Sequence, residues 1–396
     1  MAAEPLDRTG SPSTGVRDLM RETVSQLLSG FGDDYWAMID RDHRFPAEFE
    51  RAAIDAGLMG TTLPEEYGGV GLGVTEAALV LRQVANSPAG LDGCSVVHMG
   101  MFGLNPVLRH GSAEQRQQYL PLAARGEMPN CFMVTEPDAG TDTTRITTFA
   151  RRDGDDYVIN GRKVWISRAQ EARIGLLLCR TTPYSEVTKK TDGMSLLLVP
   201  VDSPGIELRR IEKMGRHGVD SNEVYLDNVR VPATALVGPE GRGFHCLLDG
   251  LNPERIMIAA EAVGLGLEAV DRAVAYARDR QVFGRPIGSN QGVQLPLADV
   301  YSQLRAADLL MLDAAERYDS GQPCGPEANM AKLRATEAMH LAVNVAFETF
   351  GGYGFAREFA IERFYRQAPL VRVAPVTNNL TKAYIATHVL GLPKSY

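Results

Sequence analysis

The chain has 396 residues, 44% of them hydrophobic and 23% charged, an ordinary globular composition too long for one simple core, so two or three packed domains are expected. A formal net charge of −8 argues against nucleic acid and against a basic membrane-surface protein, and no run of about 18 uninterrupted apolar residues offers a spanning helix. The five cysteines (Cys94, Cys131, Cys179, Cys246 and Cys324) are scattered without a CxxC pair, which indicates neither a zinc ribbon nor a disulfide framework and suits a reducing, cytoplasmic compartment. The seven histidines show no H-x-x-H or HExxH spacing, so no metal site is expected.

The opening MAAEPLDRTGSPSTG lacks the layout of a signal peptide and reads as a short disordered lead. From Val16 to Met128, segments such as DLMRETVSQLL, TEAALVLRQVA and SAEQRQQYLPLAARG carry apolar residues at three- and four-residue spacing, as helices do. Pro46, Thr75 and Ser112 are expected helix starts, and LPEEYGGVGLG is a glycine-rich turn between two helices. From Asn130 to Pro232 short β-type runs alternate with turn residues, and DYVINGRKVWI predicts a hairpin turning at Asn160-Gly161. After Pro232 the helical period returns in long amphipathic segments suited to an antiparallel bundle. The expected fold class is therefore α+β: an N-terminal helical domain (1–128), a middle antiparallel β-domain (129–233) and a C-terminal helix bundle (234–396).

Five stretches, in this order and spacing, resemble the acyl-CoA dehydrogenase family: LPEEYGGVG (63–71), VTEPDAGTD (134–142), GRKVWIS (161–167), RDRQVFGRPIGSNQ (278–291) and ETFGGYGF (348–355). The resemblance covers nearly the whole chain and implies FAD, a homotetramer, an acyl-CoA or acyl-carrier-protein thioester as substrate and an electron-transferring flavoprotein as reoxidant. No G-x-G-x-x-G or Walker A sequence occurs, which disfavours a Rossmann NAD enzyme or a P-loop NTPase.

Several cofactor contacts follow from the resemblance. VTEPDAGTD reads by itself as a surface turn; in the family it is the flavin cradle, which puts Val134, Thr135, Gly140 and Thr141, with Phe132 just before it, on the cofactor, Thr141 near substrate or pyrophosphate. Ser167 would lie near flavin N5, and Trp165 reads both as a core tryptophan and as a flat wall for the ring, two compatible readings. Arg280 and Phe283 resemble the residues that reach the FAD of a neighbouring subunit, although an arginine at a helix C-terminus is favoured by the dipole anyway. Gln291, Glu348 and Gly352 belong to the same adenine site, with Glu348 standing where the family usually has glutamine, and Thr377 matches a threonine that touches FAD.

Desaturation beside a thioester needs a carboxylate base. Many family members carry it in a Y-E-G-T motif near the C-terminus, but here that motif reads Ala374-Pro375-Val376-Thr377. Proline supplies neither the carboxylate nor the backbone N–H that helps hold the thioester carbonyl, a role Val376 N–H could take. The isovaleryl and long-chain branches use a position just before an arginine, and here Asn252-Pro253-Glu254-Arg255 makes Glu254 the candidate base and Arg255 a substrate-lining residue. The same four residues also describe an ordinary helix start, with Asn252 as N-cap and Pro253 at N1. His98 reads as a satisfied core histidine, in a helix that could border the acyl pocket, and Arg216 and Asp220 as structural polar contacts. The altered motif leaves open an enoyl-thioester reductase, a flavin oxidase or monooxygenase, or a non-catalytic member of the same fold.

Overall fold

The computed structural model describes residues 15–394. The expected lead lies outside the described residues except for Gly15, which opens a helix. The helical, β and helical order expected from the sequence is the order observed.

The chain opens with α1 (Gly15–Ser29), α2 (Asp33–Asp42), α3 (Ala47–Asp55), α4 (Val74–Ala85), α5 (Gly90–Phe102), α6 (Asn105–His110) and α7 (Ala113–Ala124). Ser112 is the N-cap of α7: its Oγ accepts from Gln115 N at 3.2 Å, and the Gln115 side chain accepts from Ser112 N at 3.0 Å. Pro46 precedes the first residue of α3. Thr75 lies one residue inside α4, whose first amides are capped from elsewhere in the chain. Val74 N and Thr75 N each donate to the Asp319 carboxylate at 2.8 Å.

The β-domain comprises β1 (Asn130–Met133), β2 (Phe149–Asp153), β3 (Asp156–Ser167), β4 (Ile174–Arg180), β5 (Met194–Pro200), β6 (Ile206–Arg210), β7 (Ser221–Pro232) and β8 (Leu236–Val237). The sheet order is β6-β7-β3-β2-β4-β5-β8, with β1 parallel to β4. The expected turn at Asn160-Gly161 is not a turn. Both residues lie inside β3, and the β2–β3 hairpin closes at Gly154-Asp155, between the paired Asp153 and Asp156. Gly161 serves a close approach instead, because a Cβ there would lie 2.4 Å from Thr148 Oγ1 and 2.7 Å from its Cα. The β3–β7 register shifts between Ile159 and Gly161 and again between Lys163 and Ile166.

The remaining elements are α8 (Gly243–Leu248), α9 (Leu251–Asp279), the short pair β9 (Gln281–Val282) and β10 (Arg285–Pro286), α10 (Gln291–Asp319), α11 (Gly325–Phe350), α12 (Ile361–Gln367), α13 (Leu370–Val373) and α14 (Asn378–Tyr384). One helical core joins the two ends of the chain: Val24, Leu81 and Val97 pack with Val263, Leu304 and Met339. Leu104, Val107 and Leu120 belong instead to the core of the β-domain. The run AAEAVGLG in α9 explains how tightly the helices meet. A Cβ on Gly264 would stand 2.2 Å from the carbonyl oxygen of Arg82 in α4, so the two backbones touch. Among the described residues no helix is long and apolar enough to cross a membrane.

Candidate active site

The first cluster stands where β1 ends beside β3. Val164 N donates to Thr135 O at 2.9 Å, which brings Phe132, Val134 and Thr135 beside Trp165 and Ser167. A buried ion pair fixes this junction. Lys163 Nζ lies 2.8 Å from Glu136 Oε1 and donates to Val134 O at 2.9 Å. Glu136 Oε2 also accepts from Thr147 N at 2.7 Å, and its Oε1 from Thr148 N at 2.9 Å. Burial alone would raise the Glu136 carboxyl, but Lys163 and these donors pull it down to about 2.

Trp165 occupies the second register shift of β3 with φ 61°, a conformation that costs a non-glycine residue about 1–3 kcal/mol unless its surroundings impose it. Its side chain is 59% exposed, so of its two readings the core tryptophan falls away. Gly140 and Thr141 sit exposed in the turn that follows Glu136, where Thr143 Oγ1 donates to Gly140 O at 3.0 Å. The hydroxyl of Ser167 accepts from Arg216 Nη2 at 3.2 Å. Arg216 is itself half-buried, and its buried Nε has no hydrogen-bond partner among the described residues.

The second cluster surrounds the C-terminus of α9. Arg280 is its C-cap residue, and its guanidinium lies 5.6 Å from the ring centroid of Tyr353. Arg280 and Gly352 line one cavity of about 590 Å³ with Tyr276, Ile287, Phe350 and Tyr353. Phe283, at the tip of the β9–β10 pair, is fully exposed (100%), and Gln291 and Glu348 are exposed at the start of α10 and in the last turn of α11. Among the described residues no hydrogen bond, ion pair or ring contact joins this cluster to Trp165 or Thr135.

The third cluster holds the candidate base. Here the expected helix start is corrected: Gly250, not Asn252, is the N-cap of α9, and Glu254 N already donates to Gly250 O at 3.1 Å. Pro253 still falls in the first turn, where its missing N–H has no partner to lose. Asn252 Oδ1, free of the capping role, accepts from Arg255 Nη1 at 3.1 Å. Burial pushes the Arg255 guanidinium down, with Tyr384 and Glu254 opposing, and its Nε is left without a partner among the described residues.

Glu254 Oε2 is 3.0 Å from His98 Nε2, and the other ring nitrogen of His98 is 2.7 Å from Glu261 Oε1. The core reading of His98 is therefore incomplete, because its partner is the candidate base. Burial would lower the His98 imidazolium, but Glu254 and Glu261 outweigh it and push it up to about 10. Glu261 went unremarked in the sequence; the signal was its seven-residue offset from Glu254 on one helix, which returns a side chain to nearly the same face. Arg216 feels the charge of Glu261 as well as bonding Ser167, so the first and third clusters adjoin.

The loop 374–377 is pinned from below. Lys332 Nζ donates to Val376 O and to Asn378 Oδ1, both at 2.7 Å. Burial, reinforced by Arg255 and Arg372, brings the Lys332 ammonium down to about 8. Thr377 is the N-cap of α14, its Oγ1 accepting from Leu380 N at 3.2 Å. Val376 N–H donates to no group among the described residues.

A β-platform with an exposed, strained tryptophan, adjoining a carboxylate–imidazole network, suits a flat cofactor beside a group that can take a proton. The family descriptions "Acyl-CoA dehydrogenase, N-terminal domain", "middle domain" and "C-terminal domain" match residues 15–127, 131–229 and 241–390. This chain belongs to the acyl-CoA dehydrogenase family, and it is a FAD-dependent oxidoreductase. It is 38% identical to acyl-CoA dehydrogenase FadE12 of Mycobacterium tuberculosis, over 96% of this chain and 97% of that one. It is 34% identical to the NADH-dependent acryloyl-CoA reductase of Anaerotignum propionicum, over 98% of both. The solved structure of a glutaryl-coenzyme A dehydrogenase with glutaryl-CoA superimposes with a TM-score of 0.92 at 31% identity, covering 97% of this chain and 98% of that one.

Proposed function

We propose that the protein desaturates the α,β-bond of an acyl thioester, with Glu254 as the base. The observation that carries this reading is the state of the Glu254 carboxylate. His98 holds Oε2, whereas Oε1 accepts no hydrogen bond among the described residues and the side chain keeps 27% exposure. Glu254 Oε1 takes the α-proton; the electron pair of that C–H bond becomes the new double bond as the β-hydrogen departs with its own pair. FAD, when bound, supplies the acceptor for that hydride. Arg255 lines the substrate side, and Val376 N–H replaces the donor missing at Pro375, so that the thioester carbonyl keeps a backbone partner.

The residues of the first cluster fit a flavin. Trp165 offers an open aromatic face, Phe132 and Val134 add half-buried apolar surface, and the hydroxyls of Thr135, Thr141 and Ser167 with the exposed Gly140 backbone supply a polar rim. Thr141 also borders substrate. Arg280, Phe283, Gln291, Glu348 and Gly352 stand apart from that platform within one chain, which supports their reaching the FAD of a neighbouring subunit in a homotetramer. Thr377 approaches FAD from the loop 374–377 while capping α14. The electron acceptor in this reading is an electron-transferring flavoprotein, the substrate an acyl-CoA or acyl-carrier-protein thioester, and the compartment the cytoplasm.

The test is anaerobic incubation of the FAD-loaded protein with butanoyl-, isopentanoyl-, octanoyl- and glutaryl-CoA, following flavin bleaching and product mass. Bleaching with loss of two hydrogens from the thioester is expected for at least one of them. The similarity to a reductase favours one alternative, hydrogenation of an enoyl thioester. Chemically reduced protein that is reoxidised by but-2-enoyl-CoA, with no bleaching by any saturated thioester, would replace the first reading by the second.

A further inference from the structure

His98 is the only ring that bridges two carboxylates among the described residues, and it does so at the candidate base. Glu254 and Glu261 stand seven residues apart on α9, and His98 comes to both from α5. We propose that His98 and Glu261 form a charge relay of position rather than of protons: His98, carried as an imidazolium, orients Glu254 through Oε2, and Glu261 is the buried counter-charge that tempers the pull of that cation. The inference rests on the reading of Glu254 as base.

The geometry gives each member a distinct role. An imidazolium has two N–H donors and no acceptor, so it can satisfy both carboxylates at once, whereas a neutral ring could donate to only one. With Oε2 engaged, the rotamer of Glu254 is fixed and Oε1 is the oxygen left to meet an α-proton. Glu261 is almost fully buried (4% exposed), and without it His98 would be a buried cation shared with a single carboxylate that is neutralised in each turnover. Glu261 thus keeps the imidazolium paired when Glu254 becomes an acid.

The surrounding charges leave this pairing intact. On α5, Asp92 is occupied by Gly218 N at 2.8 Å and by the Gln367 amide, and the Cys94 thiol, pushed up by burial and then by Glu261 and Asp92, stays neutral. From the segment before β7, the half-buried Arg216 faces Glu261, Asp92 and Asp220, and Lys213 lies beside Arg216 and Asp92. On α9, Arg255 is the cation next to Glu254. The ring of Phe102 closes the remaining side at 6.4 Å from the His98 ring.

Two substitutions in the network, at its centre and at its far end from Glu254, act in opposite directions. In His98→Gln a positive charge beside Glu254 is lost, so the acid limb of the pH profile for flavin reduction moves to higher pH by about 1–2 units. In Glu261→Gln a like charge is lost while His98 remains, so the limb moves to lower pH. The experiment is anaerobic stopped-flow bleaching of the FAD-loaded full chain by butanoyl-, isopentanoyl- and octanoyl-CoA between pH 5 and pH 9, with Glu254→Gln alongside. Opposite shifts support the proposal, because loosened packing would slow both variants without moving their profiles apart. Superimposable profiles, or shifts of the same sign, overturn it. If His98→Gln does not fold, Glu261→Gln decides alone, and a limb that stays or moves upward overturns the proposal. Unslowed bleaching in Glu254→Gln is a different failure: it removes the base itself, whatever the two neighbours do.

Discussion

The β1–β3 junction and the start of α9 are both built on buried charge, yet they use it differently. At the junction, Lys163 on β3 pairs with Glu136 in the turn after β1, and their hydrogen bonds go mainly to backbone groups: Val134 O, Thr147 N and Thr148 N. The charge there stiffens a platform and touches no open group. At α9 the carboxylate of Glu254 keeps one oxygen open, and its other partner is a titratable ring. Under the proposed function, the contrast separates a site suited to holding a rigid flat group from one suited to changing its protonation state and recovering. Backbone-directed charge serves the first need, and a side-chain network serves the second.

The largest expected effect breaks the platform. Lys163→Met leaves Glu136 buried without its cation, and removal of one partner of such a pair costs about 3–5 kcal/mol. Chemical denaturation should show that loss together with weaker retention of FAD; an unchanged unfolding curve would mean the pair is not part of the platform's stability. Next in size, Gly264→Ala forces a methyl group against Arg82 O, where it would stand 2.2 Å away, and overpacking of this kind costs about 1–3 kcal/mol. The change lies in the α4–α9 contact behind the base, so thermal unfolding should fall while the visible flavin spectrum keeps its shape.

The smallest effect is a pH dependence. Histidine in an unfolded chain titrates near pH ~6.5, whereas His98 in the fold is pushed up to about 10. A group whose folded value is raised stabilises the fold fully below the unfolded value and loses that contribution as pH rises through the folded one. The thermal midpoint of wild type should therefore exceed that of His98→Gln most below pH ~6.5, and the gap should narrow as pH climbs toward about 10. A gap that is constant with pH would mean that His98 stabilises the fold by packing alone.

The platform was largely legible in the sequence and the base network only in part. Helical periodicity and the helix start at Ser112 are local signals, and the structure has both. Asn160-Gly161 misled because the pair also suits a strand irregularity, and Thr148 demands a glycine there for closeness rather than for a turn. The start of α9 lay two residues before the expected N-cap, since Gly250 O could accept from Glu254 N without help from Asn252. Trp165 suits a core and a flat wall alike in sequence, and its 59% exposure leaves only the wall. His98 meets Glu254 across 156 residues and Glu261 across 163, and no local pattern encodes contacts of that range. The seven-residue offset of the two glutamates placed them on one face, but only the packing of α5 against α9 showed what stands between them.

Rapid anaerobic mixing of Glu254→Gln with the thioester that bleaches wild type fastest tests the division between platform and base most directly. The account predicts a flavin content and spectrum equal to wild type, with bleaching slowed about 10²–10⁴-fold. Bleaching at the wild-type rate would contradict it, and so would loss of the flavin with the loss of that one carboxylate.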